Sequence, residues 1–471
     1  MKTFYWYDLE TFGINTRYDR IAQFAGIRTD EHLNPIGDPD MFYCQPTYDY
    51  LPDPSSCLVT GITPQLCAEK GLPEHEFAAK IHTIFSQENT CGVGYNSIRF
   101  DDECVRSLFY RNLYDPYQRE YLNGNSRWDL IDIVRATYAL RPENIEWPMH
   151  EPGKPSFRLE ALAQANNLIH EAAHDALSDV EATIQMAKLI YKNQPRLFEF
   201  ALKLRNKDSV RSLLNWQLLQ PIVHVSNKIP AERGCLALML PLAIHPNNKN
   251  GVICYDLHYD PTDLLELDVQ DIQDRLYTPK AELPEGVERV HLKTIHLNKA
   301  PFVSPISVLK DVDLDRIGLD YARCQTHLEK IKSFAGIEKK AAAVFDQPFD
   351  SNIDDVDEMI YSGFFSFKER ARLESIRQLP AEKIPFDVDD FTDSRAATLI
   401  QRYKARNFPE SLTQEQSTHW QADAMKRLEQ RYGDEFIGWF DNLNALREQT
   451  ETEKNHAILD QVEQFVMDKV F

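Results

Sequence analysis

The sequence predicts a mixed α/β protein: a mixed sheet covered by helices, then a small strand-rich domain, then a helical C-terminal domain. Three observations predict it. Strand-like runs at 3–8, about 21–29 and about 40–45 precede alternating helix and strand up to about residue 196. Short β-like runs crowd between 221 and 297, and from about 350 apolar residues return at helical spacing. The corresponding domains are 1–196, 197–349 and 350–471.

The first strand is an unbroken apolar run, Phe4-Tyr5-Trp6-Tyr7, which reads as buried. Asn34-Pro35-Ile36-Gly37 is a turn signal between the second and third strands. A helix-rich stretch follows near 64–86, then a strand Thr90–Tyr95 and a helix Asp102–Leu113. Helical periodicity returns at Trp128–Leu140, Phe157–Asn167 and Asp175–Lys192. A helix at roughly 198–219 leads into strands Pro221–Val225, Cys235–Leu242, Gly251–Leu257 and Val287–Leu297, with a helix Val269–Leu276 before the last. The acidic stretch Asp346–Asp357 reads as a linker. Five helical segments follow, near 367–378, 394–405, 413–431, 434–448 and 450–469.

A chain of 471 residues has room for two to four domains with sizeable cores. Its net charge of −21 argues against a protein that coats nucleic acid, because phosphate binding needs Lys and Arg. It does not argue against an enzyme that threads a strand along a locally basic path. The eight cysteines form no C-x-x-C pair, which argues against a zinc ribbon or redox motif and fits a reducing cytoplasm. No apolar run is long enough to span a bilayer, so no membrane partner is expected.

The chemistry begins at Asp8 and Glu10. Residues i and i+2 of a strand share a face, so both carboxylates converge at the strand's end. Such a pair needs a cation or a shared proton. D-x-E alone is weak, since it recurs at Asp101-Asp102-Glu103 and Asp179-Val180-Glu181. Asp101 precedes a helix, as a cap or as a ligand at a strand-to-helix turn; adjacent Asp102 suits either role. His174 and Asp179 would lie about 140° apart on one helix. They converge only if Asp175 caps the helix and His174 sits on the loop before it.

In this order, D-x-E on a first strand, N-x-x-x-F-D before a helix and H-x-x-x-x-D near the domain's end resemble the DEDDh 3′–5′ exonucleases of the DnaQ-like, RNase H-like superfamily. Longer segments are similar to its exodeoxyribonuclease I branch: Tyr7-Asp8-Leu9-Glu10-Thr11-Phe12-Gly13, Gly94 to Glu103, Asn125 to Leu130, Pro155 to Glu160, Leu140-Arg141-Pro142 and Tyr403 to Pro409. The resemblance implies an RNase H-like nuclease domain, an SH3-like second domain and a helical third. It implies release of nucleoside 5′-monophosphates from the 3′ end of single-stranded DNA, in repair and recombination. Four carboxylates without soft ligands favour Mg²⁺, or Mn²⁺, over zinc. Two such ions about 4 Å apart stabilise the attacking and leaving oxygens. Asp8 would bridge both ions, Glu10, Asp101 and Asp179 would complete the shells, and His174 would take the water's proton.

The same resemblance suggests substrate contacts. Glu10, Thr11 and Phe12 would border the terminal nucleotide; Phe100, Trp128 and Phe157 would stack or wedge, or else are core aromatics; Arg99, Arg127 and Arg158 would bind phosphate. Arg402, Lys404 and Arg406 form a basic patch that lines the strand's path or is a solvated helix face. Single-stranded DNA-binding protein is the expected partner, with Arg141 holding a carboxylate of its acidic C-terminal tail. A monomer is expected. The alternatives are another DEDDh exonuclease acting on RNA or as a proofreader, or a non-catalytic scaffold on single-stranded DNA. A nuclease domain complete by about residue 196 further predicts that a soluble fragment ending near Arg196 cuts short oligomers slowly and releases them after each cut.

Overall fold

In the computed structural model, the described residues are 2–168, 176–347 and 353–470. The chain divides into two compact units that interleave in sequence. The first comprises residues 1–126, 171–181 and 351–471, the second 127–170 and 182–350.

In the first unit, β1 (Thr3–Thr11), β2 (Ile21–Thr29), β3 (Asp40–Tyr43) and β4 (Thr90–Gly94) stand in the order β3-β2-β1-β4. β1 runs antiparallel to β2, with Asp8 opposite Ala25, and parallel to β4, with Trp6 opposite Val93. The sheet is therefore mixed, as expected. Residues 4–7 are all buried, so both faces of β1 are covered. Helices α1 (Pro54–Thr60), α2 (Pro64–Lys70), α3 (Glu74–Phe85) and α4 (Asp101–Arg111) follow the strands. Asp53 and Thr63 cap α1 and α2, and each of those helices opens on a proline.

The chain leaves this unit through β5 (Ser126–Asp129) and α5 (Leu130–Leu140). The expected helix over 128–140 thus starts later, because the Asp129 side chain accepts the Ile131 N–H and sets the N-cap there. β6 (Met149–Glu151), β7 (Lys154–Pro155), α6 (Leu159–Ala165) and α7 (Ala176–Asn193) come next. The single helix expected over 198–219 is two, α8 (Pro195–Lys203) and α9 (Lys207–Leu213). The Asn206 side chain accepts the N–H groups of Asp208 and Ser209 and restarts the helix.

The second unit holds an antiparallel sheet of β8 (Ile222–Val225), β9 (Leu236–Ile244), β10 (Gly251–Asp256), β11 (Leu292–His296) and β12 (Phe302–Pro305), ordered β11-β10-β9-β8-β12. Sequence reading missed β12, which ends in a proline at the sheet's edge, where the absent N–H costs nothing. α10 (Thr262–Glu266), α11 (Val269–Tyr277), α12 (Tyr321–Lys332) and α13 (Ile337–Val344) complete it.

Back in the first unit, α14 (Phe367–Arg377), α15 (Ser394–Asn407), α16 (Gln414–Tyr432), α17 (Ile437–Gln449) and α18 (Glu453–Val470) form the helical end of the chain. They share cores with its beginning. Phe12, Tyr18, Tyr50, Leu51, Cys57 and Cys67 pack in one cluster with Leu428, Trp439, Leu443, Leu459 and Val462. Tyr110 and Leu113 pack with Leu373, Leu399 and Tyr403. A fragment ending near Arg196 would open both clusters to water.

Charges join the same two segments. Asp49, wholly buried, receives Arg406 Nη2 at 2.6 Å and Arg427 Nη2 at 3.1 Å, with Arg20 Nη2 at 3.9 Å. Arg406 also pairs with Asp357, and Arg111 reaches Glu74 at 3.1 Å. Two readings are corrected here. Arg402 and Lys404 are buried, and the Arg406 side chain is 1% exposed: Arg402 pairs with Asp355, and Lys404 Nζ donates to the Ile384 carbonyl at 2.7 Å. They are neither a solvated face nor a strand path. The linker expected over 346–357 includes residues outside the described ones, but its end, Asp355 to Asp357, is anchored by these arginines. Among the described residues, no helix is long and apolar enough to cross a membrane, and all eight cysteines are buried thiols.

Candidate active site

Alternation along β1 turns Tyr7 and Leu9 into the core and leaves Asp8 and Glu10 half-buried on the other face. The β1–β2 register slips between Glu10 and Thr11, a bulge just where the carboxylates stand. α7 carries Asp179 on its first turn. Carboxylate oxygens of Asp8, Glu10 and Asp179 all lie within 4.8 Å of one another.

Asp101 comes to this place by a tight β4-to-α4 connection. Gly94 ends β4 where a Cβ would lie 2.9 Å from the Tyr7 carbonyl and 2.6 Å from Ser97 Cβ, so only glycine lets the strands end this close. Asn96 then turns the chain with φ of 64°, a left-handed conformation asparagine tolerates. Asp101 is the first residue of α4 and is buried; the N-cap position before it is Phe100. Its neighbour is committed elsewhere: Asp102 accepts the Tyr7 hydroxyl at 2.5 Å and pairs with Arg119. The structure thus separates two aspartates that are adjacent in sequence.

The four carboxylates repel. Burial, then Asp101, Glu10 and Asp179 in that order, push the Asp8 carboxyl well above the usual range. Oxygen donors, crowded and half-buried, are what a hard divalent cation satisfies, and the residues present fit one. His174 lies outside the described residues.

The expected substrate contacts divide. Arg99 and Arg158 are exposed, and Phe100 and Phe157 are half-buried. Phe157 meets Tyr138 edge-on, ring centroids 5.6 Å apart. Four others are turned inward. Phe12 is 1% exposed within the core shared with the C-terminal helices. Trp128 is 2% exposed and packs edge-on against Phe198. Arg127 is buried and donates to the Asn298 carbonyl at 3.0 Å, and the Thr11 hydroxyl donates to the Gly13 carbonyl at 2.7 Å. In each case packing or a backbone acceptor was available and won over exposure. Arg141 is half-buried, with its guanidinium donating to the carbonyls of Leu140, Val308 and Lys310.

Sequence reading missed Tyr7 and Arg119, which hold Asp102 away from the carboxylate group. Tyr7 stands inside the quoted motif, but Arg119 has no local signal.

Comparison with known proteins agrees along the whole chain. A family model described as exonuclease matches residues 5–187, one described as exonuclease I SH3-like domain matches 205–347, and one described as exonuclease I C-terminal domain matches 354–469. Exodeoxyribonuclease I of Haemophilus influenzae is 47% identical over 430 residues, 91% of each chain. That of Escherichia coli is 43% identical over 460 residues, 97% of this chain and 96% of its own. Among solved structures, a moderately thermophilic exonuclease I from Methylocaldum szegediense superposes with a TM-score of 0.94 at 46% identity. E. coli exonuclease I in complex with a dA16 oligonucleotide gives 0.94 at 42%, and its zinc-bound complex with single-stranded DNA gives 0.95 at 42%. All three cover 100% of both chains.

Proposed function

Because the chain belongs to the exonuclease I family, we propose that it hydrolyses single-stranded DNA from the 3′ end, releasing nucleoside 5′-monophosphates. The observation that carries this reading is the convergence of Asp8, Glu10 and Asp179 within 4.8 Å, with Asp101 acting on Asp8 beside them. The E. coli relative, described in complexes with single-stranded DNA, supports the substrate class.

Asp8 is assigned as a ligand that would hold the divalent metal. Glu10, Asp101 and Asp179 complete the set. Mg²⁺ or Mn²⁺ bound there supplies charge that stabilises the attacking and leaving oxygens of an in-line displacement. The protein's own tasks are orientation and proton handling. Tyr7 and Arg119 keep Asp102 out of the group, so that Asp101 alone extends it from α4. His174 is assigned the general base that takes the proton of the attacking water. Arg99 and Arg158, both exposed, are assigned phosphate contacts, and Phe100 and Phe157 base contacts.

The domain boundaries 196/197 and 349/350 stand as part of this reading, supported by the ranges the family models match. So do a monomeric state, a cytoplasmic place and a role in repair and recombination. The single-stranded DNA-binding protein's acidic tail is kept as partner at Arg141. Its three carbonyl partners fix the guanidinium, and a carboxylate must add to or displace them. If Arg141→Ala leaves affinity for a tail peptide unchanged, that assignment is wrong.

The test of the main reading is digestion of matched end-labelled DNA and RNA oligomers, single- and double-stranded, with Mg²⁺ and with a chelator. Stepwise loss from the 3′ end of single-stranded DNA alone, abolished by the chelator, is expected. Preference for RNA, or no cleavage, overturns it.

A further inference from the structure

Tyr50 joins two networks. Its hydroxyl lies 2.9 Å from the Phe12 carbonyl and 2.8 Å from Asp19 Oδ1. The residue before it, Asp49, is the buried anion gripped by Arg406 and Arg427 of α15 and α16. One dipeptide therefore has its carboxylate among the C-terminal helices and its phenol on the turn that leaves the catalytic strand.

That turn is staked from the inside. Asp19 Oδ2 accepts the Asn15 N–H at 2.7 Å, and the Asn15 carbonyl accepts the N–H groups of Tyr18 and Asp19. The Phe12 N–H donates to the Arg20 carbonyl at 2.9 Å, and the Asp53 N–H to the Phe12 carbonyl at 2.8 Å. A Cβ on Gly13 would fall 2.1 Å from the Asp19 carboxylate, so the carboxylate lies directly on the glycine. Thr11, Phe12 and Gly13 are themselves buried, and a carboxylate set against them is costly to desolvate. Burial raises the Asp19 carboxyl above its usual range, a cost the turn carries. The turn begins one residue after Glu10, at the bulge in β1.

We propose that Tyr50 and Asp19 are positioning residues for the 3′-terminal nucleotide: they fix the Thr11–Gly13 turn beside the carboxylates, and Asp49 ties that turn to the C-terminal helices. This rests on the exonuclease reading. The C-terminal helices thereby enter the cleavage step without touching the reacting atoms.

The test compares the full chain with Tyr50→Phe and Asp19→Asn. Active molecules are counted by the amplitude of a single-turnover burst, and the cleavage rate per active molecule and the Kd for a long single strand are then measured. A purely structural role lowers Tm and the burst amplitude and leaves the rate per active molecule alone. Positioning lowers that rate about tenfold or more, since small misplacement at a reacting centre is expensive, while Kd moves less than about twofold. Asp19→Asn keeps the shape and most of the packing, so it reports even if Tyr50→Phe folds poorly. Wild-type rates per active molecule in both variants overturn the proposal, as does a change confined to Kd. Absence of 3′ cleavage by the wild-type protein would instead sink the exonuclease reading beneath it.

Discussion

Arg406 reaches across 357 residues of sequence to place two guanidinium nitrogens on Asp49, and both side chains are sealed from water. The contact makes the nuclease sheet and the helical end of the chain one electrostatic object. The surrounding arginines hold the Asp49 and Asp357 carboxyls well below the usual carboxylate range, with Arg406 the largest influence on each after burial itself.

Removing one partner of such a pair leaves a buried charge. Arg406→Met should therefore destabilise the protein by about 3–5 kcal/mol, read as a lower urea midpoint. An unchanged midpoint would show that Arg427 and Arg20 suffice for Asp49.

Truncation tests the shared core. Residues 1–196 alone would expose Phe12, Tyr18 and Tyr50 to water where Leu428, Trp439 and Val462 now cover them. That fragment should aggregate or show no cooperative thermal transition by circular dichroism. A sharp transition would mean that the first segment closes its own core.

The carboxylate group predicts a trade of stability against activity. Asp8→Asn removes the charge on which three others act, so the metal-free protein should melt a few degrees higher by calorimetry. It should also lose both the stabilisation given by added Mn²⁺ and all cleavage. His174→Ala should keep the Mn²⁺ effect and lose roughly 10²–10⁴-fold in rate. Near-wild-type turnover in His174→Ala would remove it as the base.

Acid should weaken the fold through a buried histidine. Burial, then Arg377, lower His82 to about 4, and its ring lies against Tyr114. The unfolded chain, with a His pKa near 6.5, binds the proton first. The unfolded state therefore binds more protons between about pH 6.5 and 4, and stability falls as pH drops through that window. Below about 4, protonation of Asp49 and Asp357 adds a second loss. Urea midpoints from pH 7 to 4 should flatten in His82→Gln; an unchanged slope would assign the loss to other groups.

Legibility followed sequence distance. Asp8 and Glu10 were readable because a strand fixes i and i+2 on one face, and Asp101 because a turn and a helix start lie next to it. Arg402, Lys404 and Arg406 were misread because nothing local distinguishes a solvated basic helix face from one that meets Asp49, Asp355 and Asp357. Trp128 and Phe12 were equally ambiguous: an aromatic beside a catalytic motif looks the same whether it faces a base or Phe198. The motif pattern chose Asp101 over Asp102, but the contacts that commit Asp102 elsewhere, from Tyr7 and from Arg119 17 residues away, were not readable.

The interleaving of the two units bears on how the protein is made. Synthesis runs from the first residue, and the strand with Asp8 and Glu10 emerges early, while the helices that cover Phe12 and neutralise Asp49 lie after residue 350. At roughly 5–20 residues per second, the growing chain waits on the order of 10–45 s between the two halves of that unit. Throughout that interval Phe12, Tyr18 and Tyr50 lack the side chains that cover them in the finished unit. The unit that holds Asp8 and Glu10 can close only once the helices after residue 350 have been made.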